Sequence, residues 1–77
     1  MSATSDAIDQ ALLNSAGTRA QKVAMIIAKA QRVLQPKYPA LSFDEVAERL
    51  YALVHANRLE SAGDITDWRH SEVKLPQ

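Results

Sequence analysis

The feature that most constrains this chain is a capped helix that runs almost directly into two short strand-like runs. Ser42-Phe43-Asp44-Glu45 reads as a capping box: the serine hydroxyl accepts from the Glu45 amide, and the glutamate reaches back to the amide of Ser42. Leu41, just before the cap, is placed to clasp Val46 as a hydrophobic staple. At 3.6 residues per turn, Phe43, Val46, Ala47, Leu50, Leu53 and Val54 gather on one side of a helix reaching about Ala56. The other side holds Asp44, Glu45, Glu48, Arg49, Ala52, His55 and Ala56, so the exposed face is acidic. There Glu45 and Arg49 make a favourable i,i+4 pair, while Asp44 and Glu48 repel at the same spacing. After Asn57 the apolar period drops to two. Leu59 points in between Arg58 and Glu60; Val73 and Leu75 point in, with Glu72 and Lys74 out. The turn-rich run Gly63-Asp64-Ile65-Thr66-Asp67 separates the two strands. A lone hairpin is marginal in water, so this one must lay its apolar face on the helices.

Two helices precede this unit. The first is expected from Asp6 to Ala16, capped by Ser5 and closed by Gly17 in a left-handed conformation, with Ile8, Ala11, Leu12 and Ser15 on one face. The second is expected to start at a further capping box, Thr18-Arg19-Ala20-Gln21, and to bury Val23, Ile26, Ile27, Ala30, Val33 and Leu34, with Met25 widening that face. Its outer surface carries Arg19, Lys22, Lys29 and Arg32 as a basic stripe, which reads first as a solvated face and second as a site for an anion or a nucleic-acid backbone. Pro36 and Pro39 stop that helix and stiffen a connector, Gln35 to Leu41. The expected fold is therefore mostly α with a small β-hairpin (α+β): three helices followed by a two-stranded antiparallel wing. It forms one domain across residues 1–77, with 1–4 and 76–77 expected to be disordered. The expected core is Ile8, Leu12, Val23, Ile26, Ile27, Leu34, Phe43, Val46, Leu50, Leu53, Val54, Leu59, Val73 and Leu75.

Arg58-Leu59-Glu60-x-x-Gly63-Asp64, followed by Trp68-Arg69-x-Ser71-Glu72-Val73-Lys74-Leu75-Pro76, resembles the ending of a group of small bacterial domains of unknown function. The preceding helix, Val46 to Leu59, is similar to the third helix of winged-helix proteins. The resemblance spans about the last thirty residues. It implies a winged-helix-like fold and carries no activity with it. A second helix read from Thr18 is longer than that of a helix-turn-helix, and the connector Gln35–Leu41 exceeds its tight turn.

Seventy-seven residues bury only about 60% of the surface that the unfolded chain exposes, so the stability margin is thin and self-association is one way to widen it. With no cysteine, disulfide staples and thiolate metal sites are both excluded. The longest apolar run, Val23 to Ala28, is far short of the ~20 residues that span a bilayer, and Met1 to Asp9 lacks a secretory pattern, so a cytoplasmic, membrane-free protein is expected. The net charge is zero, yet the charges are segregated. Residues 10–43 contain five bases and no acid, whereas residues 44–77 contain seven acids and four bases. Such segregation steers partners locally, while the neutral total opposes general attraction to polyanions.

No catalytic, metal or nucleotide motif is present, and neither a cofactor nor a small-molecule substrate is implied. His55 sits near the C-terminal end of the third helix, where a cation suits the dipole. His70 has Asp67 and Ser71 close in sequence, but neighbours along a strand face opposite sides, which argues against a catalytic constellation. Trp68 reads first as a lid on the core edge and second, with Arg69, as a binding anchor, since tryptophan and arginine are enriched at hot spots. A non-enzymatic protein-interaction module is the expected function, binding itself or another protein through Trp68, Arg69 and the flat Ala52/Ala56 patch. The alternative is a winged-helix DNA-binding protein that touches phosphates through Arg19, Lys22, Lys29 and Arg32.

Overall fold

The computed structural model describes residues 3–67 and 69–76. In chain order the elements are α1 (Ala3–Ser15), β1 (Gln21–Lys22), α2 (Val23–Leu34), α3 (Phe43–His55), β2 (Glu60–Ala62) and β3 (Glu72–Lys74). Three helices pack beside a small antiparallel sheet ordered β1-β3-β2, so the chain is α+β. The strand added to the expected hairpin is β1. Gln21 pairs with Val73 and Lys22 with Glu72, while on the other side of β3 Glu60 pairs with Lys74, Ser61 with Val73 and Ala62 with Glu72.

This third strand corrects the expected start of α2. Gln21 belongs to the sheet, not to a capping box on Thr18, which is an exposed loop residue. The helix begins at Val23 behind Lys22, whose extended backbone carries no side-chain cap. Instead, the Val23 amide donates to the Ser71 carbonyl at 3.1 Å, so tertiary pairing satisfies a donor that every helix N-terminus leaves open. The shortened α2 has 12 residues. Ser5, likewise, lies inside α1 and does not cap it. Gly17 takes no left-handed conformation; its carbonyl accepts from the Leu75 amide at 2.8 Å and ties the end of α1 to the end of β3.

The third helix follows its sequence closely. Ser42 Oγ accepts from the Glu45 amide at 3.1 Å, and Glu45 Oε2 accepts from the Ser42 amide at 3.4 Å, completing the capping box. At the other end Asn57 takes φ 61°, and the Asn57 and Arg58 amides donate to the carbonyls of Val54 and Leu53. This is a Schellman closure with asparagine at the left-handed position, and it turns the chain from α3 towards β2. Leu59 is thereby buried immediately ahead of the strand.

The core holds Ile8, Leu12, Val23, Ile26, Ile27, Leu34, Val46, Leu50, Leu53, Leu59 and Val73, as expected, together with Ala11, Ala30 and Ala47. Phe43, Val54 and Leu75, also expected there, are only partly buried against it. Two apolar residues read as inward-facing turn outward: Met25 is 50% exposed and Val33 is 68% exposed. No helix among the described residues is long and apolar enough to cross a membrane.

Candidate interaction surface

On α3, Asp44, Glu45 and Glu48 stand exposed on the outer face, as the helical pattern requires. Arg49 does not stay with them. Its Nε and Nη2 donate to the two carboxylate oxygens of Asp9 on α1, both at 2.8 Å, in a two-pronged pair. The Arg49 side chain is 27% exposed and that of Asp9 only 9%, which places the pair at the seam between helices. Chiefly through the hydrogen bond it donates to Asp9, the Arg49 pKa is raised, so its charge is fixed and committed to the fold. The i,i+4 pairing with Glu45 expected on the helix surface is thus superseded. The outer face of α3 keeps its acids while its one arginine turns to α1.

Beside this face runs a shallow trough. One end, about 260 Å³, is lined by Thr4, Tyr38, Pro39, Ala40, Leu41 and Glu45. The other, about 340 Å³, is lined by Thr4, Ser5, Ile8, Leu41, Glu45, Glu48 and Arg49. Thr4, Leu41 and Glu45 are shared, so the two form one groove between the start of α1 and the connector into α3. Its apolar lining comes from Leu41, Pro39 and Ala40, and Glu45 and Glu48 mark its rim. Lys37, with Nζ 5.7 Å from the centroid of the Tyr38 ring, is the base on the connector side.

The expected basic stripe divides among three elements. Arg19 is exposed in the loop after α1, and Lys22 lies on β1, where its Nζ donates to the Arg69 carbonyl at 3.0 Å. Only Lys29 and Arg32 are on α2, with Lys29 Nζ donating to Gln21 Oε1 at 3.3 Å. Met25 and Val33, whose exposure the periodic pattern did not reveal, lie on the same helix. Of the other candidate positions, Arg69 is exposed, Ala52 half-buried and Ala56 exposed at the end of α3. Trp68 lies outside the described residues.

Residues 65–66 and 69–70 lie in turns, which corrects the strand geometry expected around His70. Asp64 Oδ1 accepts from the amide and the hydroxyl of Thr66, at 2.9 and 2.6 Å, and these bonds, the hydroxyl's first, lower the Asp64 pKa. The turns bring His70 Nδ1 to 2.9 Å from Asp67 Oδ2, with both side chains largely exposed. Ser71 faces elsewhere. It is fully buried, and its hydroxyl donates to the Asp67 carbonyl at 2.7 Å. An aspartate–histidine pair therefore exists, but the serine meets only the backbone of that aspartate, and among the described residues its hydroxyl makes no hydrogen bond to the His70 ring. Nor do the described residues include a cluster of three or more histidine, cysteine, aspartate or glutamate side chains able to hold a metal ion.

Compared with known protein families, curated proteins and solved structures, the chain matches none.

Proposed function

We propose that this chain is a non-enzymatic, winged-helix-like interaction module whose partner is a protein. The element order α1-β1-α2-α3-β2-β3, with β3 central in the sheet, supports the winged-helix-like part of the reading, because it places two helices and a hairpin around α3. The observation that carries the functional part is the capture of Arg49 by Asp9. DNA readers of this shape present their third helix to the groove and draw most of their affinity from arginine and lysine on phosphates. Here that helix presents Asp44, Glu45 and Glu48, and its arginine is committed to Asp9. Acids at the groove oppose phosphate, while a protein partner with basic side chains is favoured.

DNA binding is the second reading, carried by exposed Arg19 and Arg32 and by Arg69 in the wing. Titrating labelled duplex and following anisotropy at moderate salt separates the two. The expected result is weak, salt-sensitive binding without sequence preference, in the non-specific range of ~10⁻⁴–10⁻⁶ M. Affinity tighter than roughly 10⁻⁷ M with clear sequence preference would overturn the protein-interaction reading.

A further inference from the structure

We infer that the partner seated in the acidic trough is a second copy of this chain, which inserts the outward ridge of its α2, centred on Met25. The inference rests on the protein-interaction reading and names the partner. On α2 the buried residues Val23, Ile26, Ile27, Ala30 and Leu34 define the inward face. Counting 3.6 residues per turn, Met25, Lys29 and Arg32 fall on the opposite side. That outward face sets an apolar tip beside two cations, and the tip gains by leaving water. Methionine is also the side chain best able to adapt to an irregular floor.

The trough is the complement of that ridge. Leu41, Pro39 and Ala40 offer apolar surface for the methionine, and Glu45 and Glu48 stand where the lysine and arginine would arrive. Arg49, the base in the groove, does not repel the incoming cations at full strength, because the Asp9 carboxylate holds it at 2.8 Å. The charge match is built into the chain. The acid-free segment 10–43 supplies the ridge, and α3 supplies the acids. Because ridge and trough are different surfaces, the contact is head-to-tail. Each copy that uses one surface leaves its other surface free, so association does not stop at two unless the rotation closes a ring.

The test is sedimentation of the full chain across a concentration series at low and high salt, with two charge-reversed variants. Met25→Glu/Arg32→Glu removes the ridge, and Ala40→Lys/Glu48→Lys reverses the trough; all four positions are exposed, and circular dichroism checks that each variant folds. The weight-average mass of the wild type is expected to rise above the 8.5 kDa of one chain with concentration. It should fall back in ~1 M salt, where the screening length is only about 3 Å. Each variant alone is expected to remain monomeric. Mixed, they should associate again, since the sound ridge of one variant then meets the sound trough of the other. If either variant does not fold, Met25→Gln and Glu48→Gln replace them, each expected to weaken association in the wild-type background. A wild type that stays monomeric to about 1 mM, the weak end of the binding scale, overturns the inference. So does a mixture of folded variants that remains monomeric, even if the trough captures a synthetic basic peptide. Duplex titration of the same samples judges the parent reading separately: tight sequence-specific DNA binding defeats that reading, whereas a monomer indifferent to DNA defeats only the self-docking.

Discussion

Replacing Arg49 with methionine keeps the aliphatic stem and deletes the charge, leaving the Asp9 carboxylate buried at the α1–α3 seam without its two-pronged donor. Exposed ion pairs contribute about 0–1 kcal/mol, while breaking a fully buried one costs about 3–5 kcal/mol. This pair lies between those limits, because Asp9 is almost covered and Arg49 retains 27% of its side-chain exposure. A cost of about 2–3 kcal/mol follows, a large share of the ~4–12 kcal/mol that a domain of this length commands. At about 4–8 °C per kcal/mol, the melting temperature should drop by roughly 10–20 °C. The double variant Asp9→Leu/Arg49→Met, which removes both charges, should recover most of that loss, because the single change does its damage through the stranded carboxylate. Urea titrations of the wild type, both single variants and the double variant form the cycle that measures the coupling. A single-variant loss below about 0.5 kcal/mol, or losses that simply add in the double variant, would show that the pair does not clamp α1 to α3.

Leu50, fully buried on α3, should cost about 2–5 kcal/mol when cut to alanine; an unchanged melting curve would refute its place in the core. Ser42→Ala removes the hydroxyl that accepts from the Glu45 amide and should cost about 1 kcal/mol in a denaturant titration. Gly63→Ala should cost at least about 1 kcal/mol, since φ is +80° and an added Cβ would lie 3.3 Å from the His70 carbonyl oxygen. The Asp64 carboxylate should titrate below its ordinary value of 3.8 by NMR and move back towards it in Thr66→Val. Because that pKa is depressed in the folded state, its small contribution is present above the unfolded value and fades as pH falls through the folded one.

What the sequence made legible is what short-range chemistry determines. The capping box of α3 and its apolar stripe need only residues within a few turns of one another, and both are found as read. Thr18 to Gln21 carries the same local signature, yet Gln21 becomes strand because Val73, far along the chain, offers it a ladder. Tertiary pairing outweighs the cap there, since the Val23 amide finds its acceptor on Ser71. Val33 shows a second limit. Helical periodicity predicts a face but not its width: Val33 lies at the edge of the buried stripe and is exposed, while Leu34 beside it is buried. The Asp9–Arg49 pair joins residues 40 positions apart, so the local signal pointed elsewhere, pairing Arg49 with Glu45.

That pair also decides how the segregated charge of the sequence appears in three dimensions. Had Arg49 remained beside Glu45 and Glu48, the outer face of α3 would be partly neutralised, and the acidic aspartate of α1 would have been left near the groove. Folding instead cancels the two against each other inside the seam. Lys29 and Arg32 on the outside of α2 and the carboxylates of α3 then remain as surfaces of opposite sign on a chain of zero net charge. With no net charge to hold copies apart, and with opposite local fields to orient them, encounters between copies would be guided, not resisted. In the proposed self-docking, the apolar tips of Met25 and Leu41 would supply the short-range attraction that follows such an encounter. The neutral total and the segregation, which look contradictory as sequence statistics, thus act together at the surface of the fold.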